Sequence, residues 1–404
     1  MKLKITMLVI LSTVFTGCVK LSGMAYEEFP KRTALDKSYS YDGKIVIIGA
    51  GASGLAAARI LENNNIDYQI IEATNRHAGR IKKNTTLADF PIDVGAEWIH
   101  NFPHTLNRLI GKKGNQVDEM LIPYHLENAY NWNGEKYKSV SPWELDTMFK
   151  IMPEYKFKNS TWYDYIDKNF AKKVKHKIKF NSPVREINYE GKKVQITTSS
   201  GEVYVADKVL VTVSIGVLKN NLIKFIPELN DEKMKAINSI GFLPGFKLVM
   251  KFSEKFYPDA VNCEVETGEK VFYDVAFKKN TQSNILGLLA TGSSAEEYSK
   301  IGSEKKIISS VLHELDQIFG GKASKAYSGE YVLENWGQHE FTLGTWAEAF
   351  LSNESVISTL NESLNDKIYF AGEAYDVSKQ LGVHAAILSG YHSIDKLLTR
   401  QSTK

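Results

Sequence analysis

The sequence predicts an α/β fold built around a parallel sheet, and three observations carry this prediction. A mostly apolar run at 44–48 is followed at once by a glycine-rich turn and then by apolar residues at helical spacing. A second apolar run at 68–71 ends at an acidic residue, Glu72. A third mostly apolar run, at 208–213, has the composition of a strand that is buried on both faces of such a sheet.

The composition excludes several classes of protein. The 404 residues are 43% hydrophobic and 24% charged, which is typical of a globular chain of about two to three domains. Lys and Arg number 50 and Asp and Glu 47, and the net charge of +3 is too small for a dedicated nucleic-acid-binding protein. The cysteines of the sequence, Cys18 and Cys263, are too few for a disulfide framework or a thiolate metal site. We therefore expect no nucleic-acid partner and no metal.

The N-terminus resembles a bacterial export signal. Lysines precede an uncharged apolar run at 5–15, which is shorter than the roughly 20 residues that span a bilayer. The run leads into the sequence FTGC, ending at Cys18, which resembles the lipoprotein box whose cysteine is lipidated. We predict a signal peptide at 1–17, a tether at 18–40 and a chain that is exported to the bacterial cell envelope and anchored to a membrane by its lipid. A plain cleavable signal and an uncleaved anchor helix remain alternatives.

The turn at 49–54 (GAGASG) has the spacing of a dinucleotide-binding fingerprint. Gly49 permits the tight turn, Gly51 lets the backbone approach a pyrophosphate, and Gly54 lets helix and strand pack closely. The N-terminus of the following helix offers free N–H groups and the positive end of its dipole to the phosphates. Glu72 is placed to accept hydrogen bonds from an adenosine ribose. Together these features predict a Rossmann-type domain.

The dinucleotide is expected to be FAD. The segment 72–80 (EATNRHAGR) resembles the stretch that follows the fingerprint in one flavoprotein superfamily, with Ala78 in the place of a glycine. No second fingerprint appears downstream in the sequence, so nothing indicates a separate domain for NAD(P)H. The electrons should therefore come from an organic substrate.

Further motifs are IDVGAEWIH at 92–100, VLVTVSIGVL at 209–218, FAGE at 370–373 and GVHAA at 382–386. They resemble motifs of the flavin-containing amine oxidases, the superfamily of monoamine oxidases, polyamine and spermine oxidases and flavin histone demethylases. In the second motif Ser214 stands where the family has a proline. The resemblance covers nearly the whole chain after the tether.

This resemblance implies a discontinuous FAD-binding domain, similar to that of glutathione reductase, with an α+β substrate domain inserted in pieces. The FAD-binding domain would comprise 41–100, 172–240 and 362–404, and the substrate domain 101–171 and 241–361. The resemblance places FAD contacts at Gly49, Gly51, Ser53, Gly54, Glu72, Arg80, Gly95, Ala96, Glu97, Trp98, Val184, Gly372, Glu373 and Val383. Thr345 stands where monoamine oxidases carry the cysteine that binds the flavin, so the FAD should be noncovalent.

For Lys247, the pattern of neighbouring residues and the family resemblance lead to opposite predictions: a solvent-exposed side chain and a side chain in the active site. In the segment 245–252 it shares a face with Lys251, and this alternation is typical of a solvated strand face. The family places a lysine here that holds a water molecule against flavin N5, where it would assist proton removal or reaction with oxygen.

His100 and Trp346 complete the catalytic residues that the resemblance implies. His100 would take a proton from the substrate ammonium, although a structural histidine is an equal alternative. Trp346 would form one wall of an amine cage by cation–π contact. The second wall falls at Gly382, so the cage is open on one side and admits an amine bulkier than a small monoamine.

The resemblance thus predicts an FAD-dependent amine oxidase that converts a primary or secondary amine, polyamines included, to an imine while oxygen reoxidises the flavin. An amino-acid oxidase or desaturase on the same fold is one alternative. A surface lipoprotein that retains FAD without catalysis is another, and the departures from the family pattern at Ala78, Ser214 and Gly382 are its evidence.

The lipoprotein prediction is tested by Cys18→Ala. The variant should leave the membrane fraction, because a short apolar segment does not anchor a chain once it is cleaved. Radiolabelled fatty acid should enter the wild-type chain alone. Equal partitioning of both forms into membranes would contradict lipidation at Cys18.

Overall fold

The computed structural model describes residues 33–100, 103–112, 120–348, 354–376 and 382–399. The predicted signal peptide, Cys18 and most of the predicted tether lie outside these residues. Within the described ranges, no helix is both long and apolar enough to cross a membrane.

The strands, in chain order, are β1 Ile45–Ile48, β2 Tyr68–Ile71, β3 Lys83–Asn84, β4 Ile92–Asp93, β5 Leu121–Pro123, β6 Ala129–Trp132, β7 Tyr137–Ser139, β8 Tyr155–Phe157, β9 Ile178–Lys179, β10 Val184–Asn188, β11 Val194–Thr198, β12 Val203–Ala206, β13 Lys208–Val211, β14 Lys224–Ile226, β15 Gly245–Phe252, β16 Ala260–Cys263, β17 Lys270–Asp274, β18 Asn284–Thr291, β19 Tyr327–Asn335 and β20 Ile368–Phe370. The α-helices are α1 Ala52–Asn63, α2 Pro103–Leu109, α3 Pro142–Ile151, α4 Trp162–Ile166, α5 Lys172–Val174, α6 Ile215–Lys219, α7 Asp231–Ser239, α8 Ser293–Lys300, α9 Glu304–Phe319, α10 Lys322–Ala326, α11 Glu354–Leu360 and α12 Val383–Thr399.

The predicted parallel sheet has the strand order β20-β13-β1-β2-β9, and each neighbouring pair is parallel. All four side chains of β1 are buried because both faces of the sheet are covered. Ile45 and Ile47 pack in the core formed with α1 and α12, whereas Val46 and Ile48 pack on the opposite side. This explains why the run at 44–48 is apolar without alternation. The last strand and the last helix of the described chain complete this sheet and its helix layer.

A second sheet, the meander sheet, covers the other face of the parallel sheet. Its order is β12-β11-β10-β14, and the neighbouring pairs β10–β11 and β11–β12 are antiparallel. Ile187 and Ile196 of this sheet join Val46 and Ile48 in one core. The helix layer, the parallel sheet and the meander sheet together form the predicted Rossmann-type domain.

The large sheet, in the order β19-β15-β18-β17-β16-β6-β7, forms the centre of the other domain. Helices α8, α9 and α10 cover one of its faces, where they pack on Phe246 and Leu248 of β15. The opposite face carries Val249 and packs against Ile92 and Val94 of the nucleotide-binding domain. The two domains therefore meet on this second face.

Two helical segments of the piece 101–171, which the resemblance assigns to the substrate domain, pack on the nucleotide-binding domain. Helix α2 contacts α12, and the helical segment that starts at Trp162 packs on α1. Tyr165 and Phe170 lie in the same core as the parallel sheet. The predicted domain division stays a prediction.

Candidate active site

A cavity of about 650 Å³ runs between the nucleotide-binding domain and the large sheet. It begins at the glycine-rich turn after β1 and reaches Tyr124, Phe149 and Glu269 at its far end. The predicted site residues that line it are Gly49, Gly51, Ser53, Glu72, Arg80, Gly95, Ala96, Glu97, Trp98, His100, Val184, Lys247, Trp346, Gly372, Glu373 and Val383. Gly54 lies beneath the turn, buried within α1.

The glycine-rich end has room for a dinucleotide. Gly51 caps α1 with φ −73° and ψ −179°, and a Cβ atom built on it would meet no other atom within 4 Å, so its free side opens to the cavity. The hydroxyl of Ser53 is buried here without a hydrogen-bond partner among the described residues. At Gly54, in contrast, a Cβ atom would lie 2.1 Å from the carbonyl oxygen of Gly49. The open cradle and the unpartnered hydroxyl fit the pyrophosphate part of FAD.

Glu72 closes the turn at this end. One carboxylate oxygen accepts the N–H of Ala50 at 2.7 Å. The other accepts the N–H of Thr74 at 2.9 Å and its hydroxyl at 2.7 Å. The carboxylate therefore joins the ends of β1 and β2. Both of its oxygens already accept backbone N–H groups, so the predicted hydrogen bond from a ribose hydroxyl would be an additional one to one of these oxygens.

Arg80 and Glu373 bind each other across the cavity wall. Their two-pronged ion pair includes Arg80 Nη1 and Glu373 Oε1 at 3.0 Å, and Arg80 also donates to the carbonyl oxygen of Thr345. Glu373 Oε1 accepts the N–H of Ala347 at 2.7 Å. These two residues bring three distant segments together around the cavity, and their predicted contacts with FAD stay a prediction.

Lys247 is buried, with 2% of its side chain exposed, whereas Lys251 on the same strand face is 33% exposed and pairs with Glu330. The alternation correctly shows that the two lysines share a face. It does not show what covers that face. In the structure the segment after β4 covers Lys247 but not Lys251, and Lys247 Nζ donates to the carbonyl oxygen of Gly95 in that segment at 3.1 Å. The buried position implied by the resemblance is therefore the one observed.

Glu97 is the centre of a buried polar network. Its Oε2 accepts hydrogen bonds from Lys247 Nζ at 2.5 Å and from the Tyr273 hydroxyl at 2.6 Å. Its Oε1 forms an ion pair with Lys156 Nζ at 2.6 Å. Burial works against the charged form of Glu97, but Lys156 and Lys247 outweigh it and lower the pKa of the carboxyl to about 2. Burial lowers the pKa of Lys247, although Glu97 opposes this.

Lys156 is a residue of this network that the sequence did not indicate. It lies in β8 between Tyr155 and Phe157, a spacing that is typical of a strand with an exposed lysine. In the structure only 5% of its side chain is exposed, and its Nζ lies 4.6 to 5.1 Å from the ring centres of Trp98, Tyr124 and Tyr273.

His100 lies toward the far end of the cavity, where it meets two carboxylates. Its Nδ1 is 2.7 Å from Glu154 Oε1. Its side chain is 48% exposed, and the charge of Glu154 together with this contact raises the pKa of His100 above its ordinary 6.5. Burial also raises the pKa of the nearby Glu269 to about 6, although His100 opposes this. No motif in the sequence pointed to Glu154 or Glu269.

Trp346, Thr345 and His384 complete the wall. Trp346 is half-buried, and the hydroxyl of Thr345 donates to the carbonyl oxygen of Leu243 at 3.1 Å. No cysteine occurs among the described residues that line the cavity, and the noncovalent attachment of FAD stays a prediction. His384 follows Gly382, which lines the cavity as predicted. Burial lowers the pKa of His384 to about 3, and its Nε2 has no partner within the described structure, so a neutral ring nitrogen is available to a bound cofactor.

The departures from the family pattern are accommodated locally. Ser214, which replaces a proline, caps α6: its hydroxyl accepts the N–H of Val217 at 3.3 Å and donates to the carbonyl oxygen of Thr342 at 2.6 Å. Ala78, which replaces a glycine, takes φ of 75° and is buried. Neither residue disturbs the cavity lining.

A Rossmann-type domain, an open dinucleotide cradle and a buried lysine on the facing sheet define a flavoprotein oxidoreductase. Residues 147–395 match the family model described as flavin containing amine oxidoreductase, and residues 47–112 match that of an NAD(P)-binding Rossmann-like domain. Because the first match spans more than half of the chain, the chain belongs to the flavin-containing amine oxidoreductase family.

Individual relatives agree with this membership. Probable polyamine oxidase 4 from Arabidopsis thaliana is 24% identical, and the alignment covers 88% of this chain and 87% of that protein. Cyclohexylamine oxidase from Brevibacterium oxydans IH-35A has a similar fold, with a TM-score of 0.71 at 15% identity over 89% of this chain and 99% of that one. Wild-type putrescine oxidase bound to putrescine has a TM-score of 0.71 at 14% identity over 89% and 100% of the two chains.

The predicted fold class, FAD cofactor and enzyme class are thus confirmed: the chain is an FAD-dependent amine oxidase. The individual roles predicted for its site residues stay predictions.

The glycines at 51 and 54 provide a matched test of the FAD cradle. Gly51→Ala should leave the melting temperature of the apoprotein within about 2 °C of wild type, since the added methyl group meets only open space, but should weaken FAD binding by at least about tenfold. Gly54→Ala should destabilise the apoprotein itself, because its methyl group would clash with Gly49. Thermal melts and FAD titration distinguish the two effects, and normal FAD affinity in Gly51→Ala would contradict the assignment.

Lys247→Met should slow flavin reduction or flavin reoxidation by about a hundredfold, by analogy with the loss of one preorganised polar group. The fold should persist because Glu97 would still form its ion pair with Lys156 and its hydrogen bond with Tyr273. Stopped-flow measurement separates the two half-reactions. Lys251→Met is the control, and it should stay within a few fold of wild type; matching kinetics in the two variants would exclude a catalytic role for Lys247.

Proposed function

We propose that the chain oxidises an amine that carries a second positive charge, a diamine or polyamine, at the carbon next to one nitrogen. The observation that carries this proposal is the acidic far end of the cavity, where Glu154 and Glu269 lie around His100. A distal ammonium group of the substrate would find its counter-charge there, in a site partly screened from water.

The names of the relatives support the same substrate class. Several plant proteins that align with about nine-tenths of this chain are called polyamine oxidases. The open side of the aromatic cage at Gly382 also leaves room for a long substrate.

The alternative of an amino-acid oxidase requires a cation for the substrate carboxylate. The arginines that line the cavity within the described structure are Arg76, Arg80 and Arg185. Arg76 donates to backbone carbonyls of its own segment, Arg80 pairs with Glu373, and Arg185 pairs with Glu340. A carboxylate at the far end would instead meet Glu154 and Glu269, so this alternative is disfavoured.

Different residues of the cavity lining would then act on different parts of the substrate. When bound, FAD supplies the acceptor for the hydride equivalent that leaves the substrate carbon. Trp346 offers a ring face to the reacting amine. His100 lies beside the two carboxylates that would hold the distal ammonium, so its predicted role as the base for the reacting nitrogen stays a prediction. If His100 takes that proton, the step should become faster as the pH rises through its raised pKa.

We also propose that the enzyme works in the bacterial cell envelope, with Cys18 lipidated and 18–40 as its tether. The support is the apolar run at 5–15 and the FTGC sequence that follows it. Oxygen and an amine from outside the cytoplasm would then be the reactants.

Glu269→Gln tests the distal site. The KM for a diamine such as putrescine should rise at least about tenfold, whereas the KM for a monoamine of similar length should change by less than about threefold, since only the diamine presents a second ammonium group. In the wild type the diamine KM should also rise as the pH falls through about 6, because Glu269 is protonated there and loses its charge. The variant should lack this acid limb.

Glu266→Gln is the matched control, since Glu266 is exposed and lies outside the cavity lining. Equal KM changes for monoamine and diamine in Glu269→Gln would overturn the distal site. Peroxide release from monoamines alone, in a panel that includes diamines, would overturn the proposed substrate class.

A further inference from the structure

We propose that Lys156 is a positioning residue that acts through Glu97 to keep Lys247 able to release its proton. The proposal rests on the shared carboxylate and on family membership, and it does not depend on which amine is oxidised.

The arrangement places two ammonium groups on one carboxylate. Lys156 and Lys247 approach different oxygens of Glu97, at 2.6 and 2.5 Å, and all three side chains are buried. A single negative charge cannot fully compensate two positive charges at these distances, where the surroundings screen little. One of the two lysines is therefore held as a cation less firmly than the other.

The two ammonium groups differ in their other contacts. Lys156 Nζ lies 4.6 to 5.1 Å from the centres of three aromatic rings, whereas Lys247 Nζ lies 5.4 and 5.9 Å from two and also donates to the carbonyl oxygen of Gly95 at 3.1 Å. Ring faces stabilise a desolvated cation. Both groups are thus held in place, and they compete for the single charge of Glu97.

Asp93 is a second buried carboxyl group near this network. It accepts the N–H of Trp162 at 3.1 Å, and among the described residues no ion pair joins it to Lys156 or Lys247. Burial, and then the charge of Glu97, raise the pKa of Asp93 well above its ordinary value, so it is a weaker counter-charge than Glu97. The charged and titratable groups that face the lysine pair are Glu97, Asp93, Tyr124, Tyr273 and Lys279.

Only part of this network lines the cavity. Lys247 and Glu97 line the cavity, whereas Lys156 and Tyr273 lie behind them and do not. Lys156 therefore affects the reaction through the charge and position of Glu97 and not by touching substrate or cofactor.

The decisive variants shift the titration of Lys247 in opposite directions. Lys156→Met removes the competing cation and leaves Glu97 and Lys247 as a one-to-one pair, so Lys247 should titrate at a pH higher by one unit or more, about a tenfold change in its proton affinity. Glu97→Gln removes the carboxylate and keeps its shape, so Lys247 should titrate at a lower pH. Lys156→Arg keeps the positive charge and should restore the wild-type behaviour in part.

The measurement uses the FAD-loaded protein with lysine labelled at ¹³Cε, whose NMR shift reports the charge of each lysine. The Lys247 signal is assigned by its loss in Lys247→Met, and Lys251→Met is the control that should leave it unchanged. The pH profile of flavin reduction should move in the same direction as the NMR titration in each variant. Circular dichroism and thermal melts establish that the variants fold.

An unchanged or lowered Lys247 titration in folded Lys156→Met would overturn the proposal. If Lys156→Met does not fold, Glu97→Gln and Lys156→Arg still decide, because an upward shift in Glu97→Gln would contradict the shared carboxylate. A change in substrate preference without a shift of the Lys247 signal would concern the distal site and not this network.

Discussion

The buried carboxylate of Glu97 is the contact on which the active site depends. It joins three parts of the chain that are far apart in sequence: the segment after β4, strand β8 and strand β15. A buried charge is costly without partners, and so are two neighbouring ammonium groups without a carboxylate between them. Glu97 therefore holds both lysines, and the seam between the two domains closes at one defined place.

The charge of the cavity lining differs between its two ends, and each end has the charge that is complementary to its proposed ligand. The glycine-rich end offers backbone N–H groups and the start of α1 to an anionic dinucleotide. Glu97 and Lys247 line the cavity beyond this end, and Glu154 and Glu269 lie at the far end. Ionised groups near the nucleotide, such as Arg80 and Glu373, are already paired with each other. A cationic amine is thus favoured only at the end away from the cofactor cradle.

Local patterns were sufficient to predict the scaffold from the sequence. The strands at 45–48, 68–71 and 208–211 and the helix α1 follow from apolar spacing and glycine position, which depend on neighbours along the chain. The site depends on contacts between distant segments. The alternation of apolar and polar residues placed Lys247 and Lys251 on one face of the strand but could not show what covers that face. Only the family resemblance indicated that Lys247 lies in the active site. Lys156, Glu154 and Glu269 lie in no motif, so the sequence did not indicate them.

The nucleotide-binding domain is completed by β20 and α12, which lie far along the chain from the fingerprint. Strand β20 pairs with β13, and α12 packs on α1, so the early strands lack a neighbour and a cover until residues near 399 have been made. Synthesis proceeds from the N-terminus, and an open strand edge invites aggregation. A nascent chain therefore passes through a stage in which its fingerprint is already present but the sheet and helix layer behind it are incomplete.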